Sequence, residues 1–193
     1  RRGGDHVQLA FVDPLSPAGR AGLRRGDFLA WIGDLSVAQL DADDSWSDAF
    51  GPNEPGVTVA LQIEAPSADP REVVVTKDWY PLVTVPYAEV QQHGGRAVGY
   101  LFFTTFVEPS VEELDQAFAE FVDAGVREVV LDLRYNGGGR VSTARHLMDL
   151  LVGALAPGEV AYRTEYAPAL AEADASRELR VQDTSLPALE HVV

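Results

Sequence analysis

The sequence predicts a chain of mixed α+β and α/β class: a small β-rich domain over residues 1–80, then an α/β domain over residues 81–193. Three observations carry this. Residues 1–80 hold short strand-like apolar runs broken by proline and glycine turns. From Ala97 onward, buried-type strands alternate with amphipathic helical patterns. Between the two, Trp79–Gln92 is punctuated by Pro81 and Pro86 and reads as a connection.

Composition narrows the function classes. The 193 residues carry 15 Lys+Arg against 30 Asp+Glu, a formal net charge of −15, and 46% are hydrophobic. A chain this apolar is not disordered. Its acidity argues against nucleic acid and anionic membranes as partners, since both demand clustered cations. Apolar runs such as Val129–Leu131 and Leu150–Val152 fall far short of the roughly 20 residues that span a bilayer. Without cysteine there is no disulfide, thiol nucleophile or thiolate metal site, and Lys77 is the only lysine. Arg1-Arg2 has no apolar stretch behind it, so it is no signal peptide, and the C-terminus stops inside the apolar pattern Leu189–Val193. Both ends predict a piece of a longer protein.

In the first domain, Val7–Asp13 is expected to be a strand broken by Pro14 and Pro17. Ser16 stands as an N-cap with Pro17 at the first helical position, predicting a short helix Pro17–Ala21 stopped by Gly22. Gly26-Asp27 is a turn into a strand bearing Phe28, Leu29, Trp31 and Ile32, closed by Gly33. Val57–Ala65 and Arg71–Lys77 are further strands, joined by the hairpin-type connection Pro66–Pro70. Asp41-Ala42-Asp43-Asp44 fails as a calcium loop, because the position that requires Glu is Pro52. A solvated acidic loop leading into a short helix Ser45–Phe50 is expected instead.

The second half predicts a strand Ala97–Phe103, apolar on both faces. Ser110 with Glu113 reads as a capping box opening a helix whose inner face is Val111, Leu114, Phe118, Phe121 and Val122, ending at Gly125. Another buried strand, Arg127–Leu133, leads through Arg134–Gly139 into a helix with Val141, Ala144, Leu147, Met148 and Leu151 inward. Strand–helix–strand–helix predicts a parallel crossover, and ligands in such sheets sit beyond the carboxyl ends of the strands. The loop Arg134–Gly139 occupies that place.

Three uses of the glycine run can be weighed on the residues alone. A phosphate cradle is disfavoured, because the run matches neither a dinucleotide fingerprint nor a Walker sequence. It can be a plain tight turn. Or its bare N–H groups, next to a helix N-terminus, can form an oxyanion hole. Ser142 and His146 share a helix face four residues apart, but no acid is evidently placed to orient the imidazole, and Asp149 is expected to be solvated. His6, His93 and His191 are isolated, so no metal is expected.

The run Ser16-Pro17-Ala18-Gly19-Arg20-Ala21-Gly22-Leu23-Arg24-Arg25-Gly26-Asp27, set between strands, resembles a PDZ domain of the bacterial protease type. Asp132-Leu133-Arg134-Tyr135-Asn136-Gly137-Gly138-Gly139, with Gly99-Tyr100-Leu101 ahead of it, resembles the signature of the carboxy-terminal processing (tail-specific, tricorn-related) serine peptidases. The combined resemblance covers nearly the whole chain. It implies an N-terminally incomplete PDZ domain over residues 1–80, with the carboxylate-binding loop lying before or at Gly3-Gly4. Residues 81–193 would be the N-terminal part of a ClpP/crotonase-like peptidase domain.

The resemblance further implies that Gly138 and Gly139 donate backbone N–H groups to the oxyanion hole, with Gly137 behind them, and that Asp132, Arg134 and Asn136 brace the loop. Its implied partners are peptides or polypeptide C-terminal tails, with no cofactor, in the periplasm or cell envelope of a bacterium. The family's nucleophile, in a Ser-Ala-Ser-Glu-like run, and its lysine do not occur here, and Lys77 lies on a strand of the first domain. The chain alone is therefore expected to be inactive. The alternative on the same fold is a non-catalytic protein that binds peptides or hydrophobic ligands.

Overall fold

The computed structural model describes residues 2–3, 6–65, 68–164, 177–182 and 189–193. The chain divides into two compact units, Arg1–Leu82 and Val83–Val193.

The first unit is an antiparallel sheet with short helices. Its strands are β1 (Arg2–Gly3), β2 (His6–Gln8), β3 (Phe28–Ile32), β4 (Leu35–Ser36), β5 (Thr58–Ala65) and β6 (Ala68–Thr76). They pair in the order β1-β2-β3-β5-β6, with β4 on β3. Leu29, Ile32, Leu61, Ile63 and Val73 form the core with Val37 and Leu40 of helix α2 (Val37–Asp43). The strand expected over Val7–Asp13 is limited to β2. Past Gln8 the backbone of Leu9 bonds to the Gly26–Asp27 turn instead of to a neighbouring strand. Helix α1 (Pro17–Arg20) is capped by Ser16, whose hydroxyl accepts the Gly19 N–H at 3.0 Å. The residues Pro66 and Ser67 of the expected hairpin connection lie outside the described residues, as does Gly4.

The acidic stretch Asp41–Asp44 is not a loop. Ser36 and Gln39 form a reciprocal capping box that starts α2, and the helix runs through Asp43 to a left-handed Asp44 (φ 50°). Helix α3 (Trp46–Phe50) follows.

The second unit carries a four-stranded sheet, ordered β12-β9-β8-β7. Strand β7 (Tyr87–His93) is antiparallel to β8 (Arg96–Phe102), while β9 (Glu128–Asp132) lies parallel between β8 and β12 (His191–Val192). The stretch expected to be a connection thus contains an edge strand. His93 pairs with Arg96 across Gly94 and Gly95, both at positive φ, which is the two-residue hairpin turn that only such a backbone permits. A separate antiparallel pair joins β10 (Val160–Thr164) and β11 (Arg177–Arg180).

Helices α4 (Ser110–Asp123) and α5 (Val141–Val152) share one core with the sheet, including Leu101, Phe103, Leu114, Phe121, Val129 and Leu147. Gly99 makes room there for an aromatic ring: a Cβ at that position would stand 2.9 Å from Phe121. The expected capping box at Ser110 is absent. Pro109 is the N-cap. The Ser110 hydroxyl instead donates to the Thr105 carbonyl and accepts from Val107 N–H, and the Glu113 carboxylate takes the N–H groups of Thr84 and Val85. Nearby backbone donors outcompete the cap because they are otherwise unpaired in a buried turn. Helix α5 is also rotated from expectation. Val141 is 59% exposed, and Thr143, Leu147 and Leu150 face the core.

Candidate functional site

The segment between β9 and α5 lies where the parallel strands end. Strand β9 finishes at Asp132, whose carboxylate is only 6% exposed and is the anchor of the loop. Arg134 folds back on it, with Nη2 to Oδ2 at 2.6 Å, Nε to Oδ1 at 2.9 Å, and its own N–H to Oδ1 at 3.0 Å. The Tyr100 hydroxyl of β8 donates to Oδ2 at 2.6 Å. The Arg134 guanidinium holds the Asp132 carboxyl well below the usual carboxylate range, against the opposing effect of burial, and Tyr100 helps. In return the carboxylate raises the Tyr100 hydroxyl and the Arg134 guanidinium above their ordinary values.

Asn136 is the second brace. Its Nδ2 donates to the Phe103 carbonyl at 3.1 Å and its Oδ1 accepts the Gly138 N–H at 2.8 Å. The chain after β8 then acts as a template for the glycines. Gly137 N–H donates to Thr104 O at 3.3 Å, Phe106 N–H donates to Gly138 O at 2.9 Å, and Arg140 N–H donates to Phe106 O. This is a parallel bridge between Phe106 and Gly139. Gly139 sits so close that a Cβ would lie 2.1 Å from Phe106 O, and its φ of +139° is one that side-chain-bearing residues rarely adopt.

Of the two glycines expected to donate to an oxyanion, Gly138 already gives its N–H to Asn136. Gly139 N–H has no acceptor among the described residues. Its direction follows from peptide geometry. No peptide bond is cis, and in a trans peptide the C=O and N–H point oppositely. The Gly138 carbonyl is fixed on Phe106, so the Gly139 N–H faces away from that segment. Leu133, Tyr135 and Val141, all at least 40% exposed, flank the loop with apolar surface.

Ser142 makes no hydrogen bond to His146 among the described residues, although the structure does place an acid there: His146 Nε2 lies 2.7 Å from Asp115 Oδ1 of α4. Asp149 is buried, not solvated, because its Oδ1 accepts the Gln182 N–H at 2.8 Å. His191 is not isolated either. With Glu128 and Glu190 it forms a group of possible ligands at the start of β9, the end opposite the glycine loop. Arg96 already pairs with that Glu128 carboxylate. The Asn136–Gly138 clasp and the Thr104–Phe106 template went unread in the sequence. An Asn two residues before a glycine is a local signal for the first. No local signal exists for the second, which joins segments distant in sequence.

The second unit thus ends its parallel strands in a glycine loop with one backbone N–H, that of Gly139, that has no acceptor among the described residues. The comparisons with known proteins name the family of this segment: residues 97–187, which hold the whole loop, match Peptidase family S41. It is 30% identical over 136 residues to a carboxyl-terminal-processing protease of Picosynechococcus sp., a match covering 70% of this chain and 32% of that one. Among solved structures, a Bacteroides fragilis protein classed with the S41 proteases matches at TM-score 0.60 and 25% identity over 94% of this chain and 50% of that one. A photosystem II D1 C-terminal processing protease matches at TM-score 0.55 and 27% identity, over 78% and 41% respectively. The chain spans about a third of the length of the curated relatives it matches. No helix among the described residues is long and apolar enough to cross a membrane.

Proposed function

We propose that the chain is part of a PDZ-containing serine endopeptidase of the carboxy-terminal processing type, which cleaves peptide bonds in polypeptide tails. In this reading residues 1–80 are the PDZ module and residues 81–193 begin the ClpP/crotonase-like peptidase domain. The carrying observation is the outward, unpaired Gly139 N–H beside the N-terminus of α5. A nucleophile supplied from elsewhere in the protein attacks the scissile carbonyl, and the negative charge growing on its oxygen is met by that N–H and the positive end of the helix dipole. One such donor is worth about 10²–10³ in rate. Gly138 serves by shaping the turn, its N–H being engaged, while Asp132, Arg134 and Asn136 keep the loop rigid. The setting is the periplasm or cell envelope, by analogy with the family, and cell fractionation of the parent tests it.

A second reading draws on a different feature. The first unit contains a mostly apolar groove of about 530 Å³, with Leu23, Leu29, Val59 and Ile63 among its walls. That groove suits a protein on this fold that binds peptides or hydrophobic ligands without cutting them. The two readings separate on treatment of the complete protein with a fluorophosphonate probe. The endopeptidase reading expects one labelled serine outside residues 1–193 and loss of peptide cleavage on labelling. Cleavage by the purified 193-residue chain itself, blocked by the same probe, would refute the division of labour proposed here.

A further inference from the structure

We infer that Thr105 is a positioning residue of the oxyanion site: its hydroxyl and the Phe106 N–H together hold the Gly138–Gly139 peptide so that the Gly139 N–H is presented to the substrate carbonyl. This rests on the reading of Gly139 as the oxyanion donor and adds a residue to it. The Thr105 Oγ1 donates to Gly138 O at 3.3 Å, and the Phe106 N–H reaches the same oxygen at 2.9 Å. The carbonyl of Thr105 itself accepts the Ser110 hydroxyl at 2.9 Å, and Ser110 is fully buried at the start of α4. A rigid helix end therefore fixes the backbone that carries the hydroxyl.

Two consequences follow from two donors on one carbonyl. The peptide plane cannot swing about its flanking glycines without stretching both bonds, which matters because Gly138 (φ 90°) and Gly139 (φ 139°) have no side chains to restrain them. The donors also draw electron density toward the carbonyl oxygen, leaving the N–H of the same amide more positive, in the manner of cooperative hydrogen-bond chains. Orientation and polarity both act on the group that meets developing charge. Of the two donors, the hydroxyl is the one that substitution removes without altering the backbone, since deleting the Phe106 N–H takes a proline.

Thr105→Val removes the hydroxyl at nearly constant shape, and Thr105→Ser keeps it. In the ¹⁵N-labelled chain, Thr105→Val is expected to move the Gly139 amide proton upfield, while the Gly137 and Gly138 amides, which have other acceptors, stay near their wild-type positions. Thr105→Ser is expected to leave all three in place. In the complete peptidase, Thr105→Val is expected to lower kcat about three- to tenfold at unchanged KM, the scale of one hydrogen bond, with recovery in Thr105→Ser. A Gly139 resonance indifferent to Thr105→Val overturns the inference, and so does a kcat loss that serine fails to restore. If the complete wild-type protein shows no turnover, the functional reading is what fails, and the amide shifts still decide whether Thr105 holds the peptide.

Discussion

Asn136 and Gly138 form a closed clasp, the asparagine Oδ1 accepting the glycine N–H at 2.8 Å while its Nδ2 donates to the Phe103 carbonyl at 3.1 Å. One side chain thus satisfies the Gly138 N–H and ties the loop to the residue that follows β8. Asn136→Ala leaves the part-buried Phe103 carbonyl without this donor, which costs about 1–3 kcal/mol, and releases the exposed Gly138 N–H to water. The predicted outcome is lower stability in urea and faster hydrogen exchange at the Gly138 amide. An unchanged exchange rate at Gly138 would mean the clasp does not exist in solution.

Gly137 and Gly139 are predicted to differ in tolerance. A Cβ at Gly137 meets nothing within 4 Å, so Gly137→Ala is expected to fold and behave as wild type. At Gly139 the same methyl collides with Phe106 O and the backbone sits at positive φ, so Gly139→Ala must displace the loop. The strain alone is about 1–3 kcal/mol, and misplacing the donor by an ångström costs about 10²-fold in turnover. Thermal melts of both variants, with peptidase assays of the complete protein, check the contrast. Equal behaviour of the two would sink it.

Acid should weaken the second unit through Asp132. Its folded carboxyl titrates below its unfolded value, so it contributes stability that is fully present above about pH 4 and is lost as the pH falls toward the folded value. Tyr100 acts at the other extreme. Its hydroxyl is raised, chiefly by its bond to Asp132, so its contribution is full below about pH 10 and disappears as the pH rises through the folded value. Denaturation across pH should show the acid slope flattened in Asp132→Asn and the alkaline slope flattened in Tyr100→Phe. Parallel curves for wild type and variants would count against the network.

Gly99 and Phe121 are predicted to couple. Gly99→Ala drives a methyl to within 2.9 Å of the ring, an overpacking that costs about 1–3 kcal/mol. Phe121→Leu loses ring contacts by itself but makes room for that methyl. A double-mutant cycle by chemical denaturation should give the pair less destabilisation than the sum of the singles. Additive losses would show that the ring simply moves aside.

Much of the architecture was legible before any coordinates. The Ser16 cap, the Gly125 stop and the run Val129–Leu133 are local features, and local backbone preferences decide them. Elements whose partners lie elsewhere were misread. Tyr87–His93 looked like a connection because its prolines lie just upstream, yet pairing with Arg96–Phe102 makes it a strand. Ser110 and Glu113 carry a cap's spacing, but the backbone of Thr105, Thr84 and Val85 claims their side chains first.

The glycine loop divides along the same line. Residue types determined that a bare, flexible backbone would stand between a buried strand and a helix, bracketed by Asp132, Arg134 and Asn136. Which N–H remains free was decided only when Thr104–Phe106 came alongside. That segment lies some thirty residues earlier in the chain and fixes the direction of the Gly138–Gly139 peptide. A peptide's two polar ends point opposite ways, so anchoring one of them aims the other, and that anchor exists only in three dimensions.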